Sequence, residues 1–535
     1  MLSKEQLEDK NRVTYFGVTD FRGVEEKFGI KADDRTRHMY VIGKTGMGKS
    51  TMLENMAIQD IQNGEGICFI DPHGSTAEKL LKYVPEERMC DVVYFAPFDT
   101  KYPVGLNMLE FVAEDKRHLV ASGLMDAFKK VFGEDVFSGR MVYLLNNAIL
   151  SLLENEGESI MGINRIFSDK EYRKRIVSNV KDRAILSYWN DEFAKYEDKY
   201  VKEASAAIQN KIGQFIMTPM IRNIVGQKHT SFDLRKIMDE RKILICNFSL
   251  GQTGADNVNL LGSLLVTKIY LAAMSRANLK EDELKKAPPF YFYVDEFQNF
   301  VNDSFAQILS QARKYNLGLV VANQYVSQLT DNVREAIFGN VGSMLSFRIG
   351  AEDAELLEKE FAPKFTADDL VNLGQHQLYL KLSIGGVGSK PFSSKTMPPI
   401  LAPENNFIPA TIAHSRIAFG KEKSLVEAEI DSWYAPAKSY TYDSKQENRA
   451  KQRVEQKFEK IAQEKDLEYK KEKDLNKAKT YPQTFVKTQT QTKNNPLREA
   501  LNTAMSLDIK KEKESRVKSV VLDTEKLRDL LNIDD

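Results

Sequence analysis

Short apolar runs, rich in β-branched and aromatic residues, recur along the chain, and segments with helical apolar spacing separate them. Seven of these runs predict strands, at residues 39–42, 66–70, 91–95, 242–248, 290–294, 317–322 and 344–349. Each run is apolar on both of its faces, which is typical of strands in a mostly parallel sheet covered by helices. Such α/β sheets bind ligands beyond the carboxyl ends of their strands. The pattern therefore predicts an α/β fold with a site at that edge.

The alternation of strands and helices stops between about Glu110 and Lys236. Residues 170–182 and 190–211 have helical, charged patterns, and no clear strand interrupts them. Because the later strand at 242–248 still belongs to the sheet, we expect an all-helical insertion within the core. The predicted divisions are an N-terminal segment 1–37, core 38–109, insertion 110–235, core 236–400, core extension 401–437 and tail 438–535.

The tail, residues 438–535, is dominated by Lys, Glu and Gln and contains few large apolar residues. Such a segment cannot bury a core of its own, so we expect a charged tail that is largely disordered or helical. Two islands within it, at 495–501 and 522–533, predict short amphipathic helices. These helices could dock on a partner or pack against their own domain.

Composition changes this picture little. The chain has 535 residues, 42% hydrophobic content and a formal net charge of zero, and this length predicts two or three domains plus tails. Balanced overall charge does not exclude nucleic-acid binding, because a local basic surface is enough for it. The cysteines Cys68, Cys90 and Cys246 lie in or beside predicted strands without metal or disulfide spacing, so we expect core thiols in a reducing compartment.

Targeting signals are not evident in the sequence. The N-terminus is polar and charged, unlike a signal peptide. The most apolar long window, residues 260–274, is short for a membrane span and contains Lys268. We therefore expect a cytoplasmic protein without a direct membrane span.

A phosphate-loop motif lies between the first of these strands and a predicted helix. Residues 40–51 read YVIGKTGMGKST and fit the pattern GxxxxGKS. Glycines allow backbone N–H groups to surround a β-phosphate, and the helix N-terminus adds its positive dipole end. Lys49 is expected to contact the β- and γ-phosphates and Ser50 to bind Mg²⁺. A chance match by a glycine-rich turn is the alternative. The predicted nucleotide-binding residues are Gly43, Lys44, Thr45, Gly46, Met47, Gly48, Lys49, Ser50 and Thr51.

An acidic pair follows the strand at 290–294. Asp295 is expected to bind Mg²⁺ through water, and Glu296 to polarise the water that attacks the γ-phosphate. A second acid favours hydrolysis over a nucleotide that serves only as a switch. Alternatively, the pair could cap the next helix.

Four motifs in one order resemble the HerA/FtsK superfamily of DNA-pumping ATPases, and within it the TraD/TraG group of conjugative coupling proteins of type IV secretion. The motifs are GKTGMGKST, FIDPHGS at 69–75, YVDEFQNF at 293–300 and ILSQARKYNLGLVVANQ at 308–324. Segments 340–350 and 378–392 are also similar to that group. The resemblance spans roughly residues 14–434 and implies a RecA-like core.

The resemblance implies further roles for single residues. Gln324 matches the family's polar sensor of the γ-phosphate, although it could simply open a loop. Arg313 and Arg348 are two candidates for an arginine finger that reaches a neighbouring subunit, and Arg348 is slightly favoured because it matches a late-core arginine; either could be an ordinary salt-bridging residue. His73 could sense nucleotide, but Ser75 stands where the family often has an acid.

The resemblance also implies a function. We expect an ATP- and Mg²⁺-dependent translocase, assembled as a ring that is a hexamer, which moves DNA or nucleoprotein through its pore with sequence-independent contacts. A relaxase and secretion-channel components are the implied partners. The family's N-terminal membrane anchor is not apparent, so recruitment to the inner membrane face would need another subunit. The segment 251–256 is a candidate pore loop.

Two other functions stay open at this point. One is a HerA-like DNA-processing translocase that works with a nuclease. The other is a nucleotide-gated cargo adaptor without motor activity, which would bind ATP with turnover that DNA leaves unchanged.

Deletion of residues 438–535 should leave the ATPase core folded, because this segment contributes too little apolar surface to belong to the core. The truncated protein should remain soluble and retain a cooperative thermal transition in circular dichroism. Insolubility or loss of that transition would show that the boundary is wrong.

Overall fold

The computed structural model describes residues 1–19, 24–110, 112–196, 198–301 and 304–435. The predicted tail and its islands at 495–501 and 522–533 lie outside the described residues. The strands are β1 Val13–Val18, β2 Lys27–Lys31, β3 Met39–Ile42, β4 Gly66–Asp71, β5 Val92–Phe95, β6 Ile243–Asn247, β7 Phe290–Val294, β8 Leu317–Asn323, β9 Ser343–Ser346, β10 Gln377–Lys381, β11 Ser383–Ile384, β12 Val387–Gly388 and β13 Phe392–Thr396.

The helices surround this set of strands, and short 3-10 turns connect several of them. They are α1 Lys4–Glu8, α2 Ala32–Arg35, α3 Lys49–Asn63, α4 Ser75–Leu81, α5 Arg117–Phe132, α6 Gly139–Leu153, α7 Met161–Ser168, α8 Lys170–Ser178, α9 Arg183–Ser187, α10 Asp198–Met217, α11 Pro219–Val225, α12 Leu234–Asp239, α13 Leu250–Thr253, α14 Ala255–Met274, α15 Glu281–Lys286, α16 Ser304–Gln311, α17 Asp331–Asn340, α18 Ala351–Phe361, α19 Ala367–Val371, α20 Ile408–Phe419 and α21 Lys423–Tyr434.

One large mixed sheet forms the centre of the structure. Its strand order is β2-β1-β13-β10-β9-β3-β8-β7-β4-β6-β5. The seven strands from β9 to β5 are parallel, which confirms the predicted fold class, and each contains residues of a predicted run. Four antiparallel strands, β10, β13, β1 and β2, extend the sheet beyond β9, and the sequence pattern did not reveal them.

Apolar side chains cover both faces of the parallel strands. Along β3, Tyr40 and Ile42 join one apolar cluster, whereas Met39 and Val41 join the other. Alternate residues of a strand point to opposite faces. The helix α3 lies on the second face, where Leu53 is fully buried. These two layers fix the position of the loop that connects β3 to α3.

The described residues between β5 and β6 form helices joined by turns and loops, and their β pairing is limited to an isolated bridge between Val104 and Gly420. This confirms the all-helical insertion. Its helix α5 packs closely on α14, since a Cβ added to Gly123 would lie 2.4 Å from Thr267 Cγ2. The insertion shares one continuous apolar cluster with a face of the sheet.

Helix α20 covers the far edge of the sheet. The β5 residue Tyr94 donates its main-chain N–H to Ser415 Oγ at 2.8 Å. A strand with unpaired backbone groups can template pairing with another chain, and a covering helix prevents this. Helix α20 therefore protects this edge of the sheet.

Two sequence expectations need correction. The candidate pore loop at 251–256 is helical for most of its length, because α13 ends at Thr253 and α14 begins at Ala255, with Gly254 at φ +85° between them. Cys90 is exposed in a 3-10 turn, whereas Cys68 and Cys246 are buried as expected.

A single helical segment among the described residues, Ala255–Asn278, is long and apolar enough to cross a membrane by length and composition alone. Within its most apolar window, 67% is buried inside the protein. A buried core helix meets the same criterion.

A buried ion pair joins the segment before β3 to helix α3. Arg35 donates two hydrogen bonds to Asp60, of 2.6 and 2.8 Å, and a third to Tyr293 Oη at 2.6 Å. Burial lowers the pKa of Arg35, but the Asp60 carboxylate together with the hydroxyls of Tyr293 and Tyr291 raises it by more, so the pKa lies well above its usual value. Both side chains are almost wholly excluded from water.

Replacement of Arg35 by Met should lower the free energy of unfolding by about 3–5 kcal/mol, because it leaves Asp60 buried without its partner. Chemical denaturation followed by circular dichroism measures the change. Arg334→Met is the matched control, since it breaks an ion pair with the exposed Asp331 and should cost no more than about 1 kcal/mol. Equal effects of the two substitutions would contradict the stabilising role of the buried pair.

Candidate nucleotide-binding site

The loop of residues 43–48 connects β3, a central strand of the sheet, to the N-terminus of α3. Gly48 precedes the helix at φ +113°, a backbone conformation that favours glycine, and no side chain caps the helix. The first-turn N–H groups of a helix have no partner within the helix and can bind an anion. Gly43 also needs to be glycine, since a Cβ there would lie 2.5 Å from Phe347 Cβ.

Lys49 lies across the base of this loop. Its buried ammonium donates hydrogen bonds to the carbonyl oxygens of Gly43 and Lys44. Burial lowers the pKa of Lys49, and the carboxylates of Glu296 and Asp295 oppose this shift. The ammonium is therefore held at the loop and faces the acidic pair.

Ser50 and Asp295 meet although 245 residues separate them in the chain. The Ser50 hydroxyl donates to Asp295 Oδ2 at 2.7 Å. Burial raises the pKa of Asp295 to about 6. The neighbouring carboxylate of Glu296 also raises this pKa, whereas the hydrogen bond from Ser50 lowers it. An uncompensated negative charge is therefore unfavourable at Asp295, and a bound cation would compensate that charge.

The oxygen atoms of Ser50 and Asp295 suit Mg²⁺ as a ligand set. Hydroxyl and carboxylate oxygens are hard ligands, and Mg²⁺ in nucleotide sites takes one or two protein ligands together with water and phosphate oxygens. No group of three or more His, Cys, Asp and Glu residues in the described part of the chain could hold a metal by itself. Ser50 and Asp295 are the residues that would hold the ion.

Glu296 is fixed by two amide side chains. Its Oε1 accepts a hydrogen bond from Gln324 Nε2 at 2.8 Å, and its Oε2 accepts one from Gln298 Nε2 at 2.7 Å. Glu296 has φ +48°, which is uncommon for a residue with a side chain and is concentrated at functional sites. Its side chain caps no helix. The sequence singled out Gln324 but missed Gln298 and both contacts.

The structure separates the two candidate arginines. Arg348 lies just beyond β9, and its carbonyl oxygen accepts the main-chain N–H of Lys44 at 2.8 Å, so it borders the loop of its own chain. Arg313 is exposed in a 3-10 turn that precedes β8. It lies near His38, which immediately precedes β3. Burial lowers the pKa of His38 to about 4, and the charge of Arg313 lowers it further. Arg313 is therefore at the opposite edge of the sheet from the loop.

The FIDPHGS motif spans the end of β4 and the start of α4. His73 is exposed beyond β4, which is the third strand from β3. Asp71 fixes this turn by accepting the N–H groups of His73 and Ala77, each at 2.9 Å. The motif thus shapes the start of α4.

Sequence reasoning also missed a contact on the other side of the loop. Gln375 Nε2 donates to the carbonyl oxygen of Gly46 at 3.3 Å, and the His376 N–H donates to that of Met47 at 3.2 Å. Neither Gln375 nor His376 belongs to a sequence motif that could have revealed these contacts with the loop.

The fold and this arrangement of residues define the class of RecA-like phosphate-loop NTPases. The chain belongs to the type IV secretion-system coupling protein family, because the family model of the coupling protein DNA-binding domain matches residues 27–363. This confirms the resemblance seen in the sequence.

Individual relatives are distant. The type 4 coupling protein DotL of Legionella pneumophila is 21% identical over 369 residues, which cover 58% of this chain and 46% of DotL. The chain thus spans about half the length of that relative. The plasmid coupling protein TrwB, in structures with the GTP analogue GDPNP and with ADP and Mg²⁺, gives a TM-score of 0.51 at 16% identity. The match covers 76% of this chain and 94% or 95% of TrwB, and it shows the fold.

Proposed function

We propose that this protein is an ATP-hydrolysing motor that moves DNA, or DNA bound to protein, through a ring of identical subunits in type IV secretion. The observation that carries the proposal is the convergence of Lys49, Ser50, Asp295, Glu296 and Gln324 around one loop. Membership of the coupling protein family supports DNA as the substrate. The binding of ADP and Mg²⁺ by TrwB supports the choice of nucleotide and metal.

Each residue has a task in this reaction. The loop N–H groups and the start of α3 bind the β-phosphate, and Lys49 turns from the loop carbonyls to the β- and γ-phosphates. Mg²⁺, held by Ser50 and Asp295, would neutralise phosphate charge. Glu296 orients the attacking water and receives its proton, and its two amide partners keep the carboxylate in place. DNA contacts in the ring pore would be mainly to phosphates.

Two substitutions separate nucleotide binding from hydrolysis. Lys49→Ala should abolish ATP turnover, because it removes the charge that faces the phosphates. Glu296→Gln should preserve nucleotide binding and lower turnover by about a hundredfold or more, because it removes the general base. Phosphate release with and without DNA, together with binding of a fluorescent ATP analogue, gives both readouts.

The exposed ion pair of Lys285 and Glu281 on α15 provides matched controls. Lys285→Ala and Glu281→Gln should keep wild-type turnover. Normal turnover by Lys49→Ala or Glu296→Gln would reject the assigned site. Turnover that DNA leaves unchanged would favour a nucleotide-gated adaptor over a motor.

The positions of the arginines favour Arg313, in place of the Arg348 preferred from sequence, as the finger supplied to a neighbouring subunit. A residue that acts in trans must be accessible and lie away from the site of its own chain. Arg313 meets both conditions, whereas Arg348 borders its own loop. Each site of the ring, for which we propose six subunits, is then completed by its neighbour.

Mixed rings test this assignment. Arg313→Ala and Arg348→Ala should each lower turnover, by about a thousandfold for the finger. Mixing Arg313→Ala with Lys49→Ala subunits should restore activity, because an intact loop can meet an intact finger from its neighbour. Mixing Arg348→Ala with Lys49→Ala should restore none, because Arg348 serves its own loop.

The opposite pattern, with recovery only in the Arg348→Ala mixture, would identify Arg348 as the finger. Recovery in neither mixture would argue against any shared site between subunits. Mixing each variant with wild type at the same ratios is the control for subunit exchange.

A further inference from the structure

The segment of residues 374–377 contacts the phosphate loop from the side opposite to the acidic pair. It leads into β10, which pairs antiparallel with β9. Since β9 is parallel to β3, the start of β10 lies at the edge where the loop begins. The strands β8 and β7, which carry Gln324, Asp295 and Glu296 at their ends, lie on the other side of β3.

Two hydrogen bonds hold this segment against the loop, and a third ties it to the sheet. The His376 N–H donates to the Met47 carbonyl oxygen, and Gln375 Nε2 donates to that of Gly46. On its other side, the His376 carbonyl oxygen accepts the main-chain N–H of Thr396 in β13 at 2.9 Å. The segment is thus tied both to the loop and to the antiparallel part of the sheet.

The His376 side chain is placed at the glycine that precedes Lys49. A Cβ added to Gly48 would lie 3.0 Å from His376 Nδ1. His376 is exposed, and the structure, over the residues it describes, records no hydrogen bond for its imidazole. The imidazole is therefore free to bind a molecule held on the loop.

His376 also adopts a backbone conformation that a side chain disfavours. Its φ is +64°, where glycine would be relaxed and most other residues are strained. Such strain persists only where surrounding contacts impose it, and it is concentrated at ligand sites. The main-chain hydrogen bonds of His376 with Met47 and Thr396 impose the positive φ of His376.

We propose that His376 binds the nucleotide where the α-phosphate joins the ribose, by a hydrogen bond from its imidazole. This inference rests on the proposed function, which sets the direction of the nucleotide. The γ-phosphate faces Glu296 and Gln324, so the nucleoside extends from the loop towards β9 and β10. On that side, His376 Nδ1 is the nearest atom to a Cβ built at Gly48.

The test compares His376→Gly with the wild-type full chain. Glycine removes the imidazole and relaxes the backbone, so the folded loop is retained and the thermal midpoint without nucleotide should not fall. The Kd for a fluorescent ATP analogue should rise roughly tenfold or more, as expected for loss of a hydrogen bond to a charged group. In turnover assays, KM should rise while kcat changes little.

His376→Asn keeps a donor and tolerates positive φ, so it should recover part of the lost affinity. His229→Gly, at an exposed position outside the loop, is the matched control and should bind ATP as wild type does.

Competition by inorganic tripolyphosphate distinguishes a contact of the imidazole with the α-phosphate from a contact with the ribose. If its inhibition constant also rises in His376→Gly, the imidazole binds the α-phosphate; if only the ATP constant rises, it binds the ribose.

Equal ATP affinity of His376→Gly and wild type would overturn the inference while leaving the proposed function intact. If His376→Asn binds as weakly as His376→Gly and both melt at lower temperature than wild type, the residue acts through folding and the inference is wrong. A wild-type chain that binds no ATP would instead refute the proposed function. These outcomes are therefore distinguishable.

Discussion

Parallel pairing of β3, β8 and β7 is the constraint on which the candidate site depends. Parallel strands end at the same edge of a sheet, so residues that follow β7 and β8 must lie beside the loop that follows β3. This brings Asp295 to Ser50 across 245 residues of sequence, and it brings Gln324 to Glu296. The side-chain chemistry is local, but backbone hydrogen bonds of the sheet determine which side chains meet.

The parallel strands could be predicted because they are buried on both faces and therefore read as continuous apolar runs. The strands β10 and β13 were missed because only one face of each strand is buried. In β10 only Leu378 and Leu380 are buried, and in β13 only Ser394 and Thr396. A five-residue strand with one buried face, made partly of Ser and Thr, carries too weak an alternation to distinguish it from a loop. His376, which precedes β10, was missed with it.

Within the candidate site, sequence could name residues but not their contacts. The motif spacing identified Lys49, Ser50, Asp295 and Glu296, because backbone cradling of phosphate needs glycines at fixed positions. The order and direction of the strands, which no local pattern encodes, bring Gln324 at the end of β8 to Glu296, whereas Arg313 before the start of β8 lies at the opposite edge of the sheet. The segment 251–256 was expected to be a loop because it follows a core strand, but helical hydrogen bonding on both sides of Gly254 makes most of it helical.

The central position of β3 has a consequence for synthesis of the chain. Its two hydrogen-bonding neighbours are β8 and β9, both near the end of the core. At ribosomal rates of about 5–20 residues per second, the ~275 residues between β3 and β8 take roughly 15 to 55 s to emerge. Until then, a fully apolar strand has both edges unpaired, a condition that promotes aggregation. The strand that later supports the phosphate loop therefore stays without its pairing partners during most of the synthesis of the core.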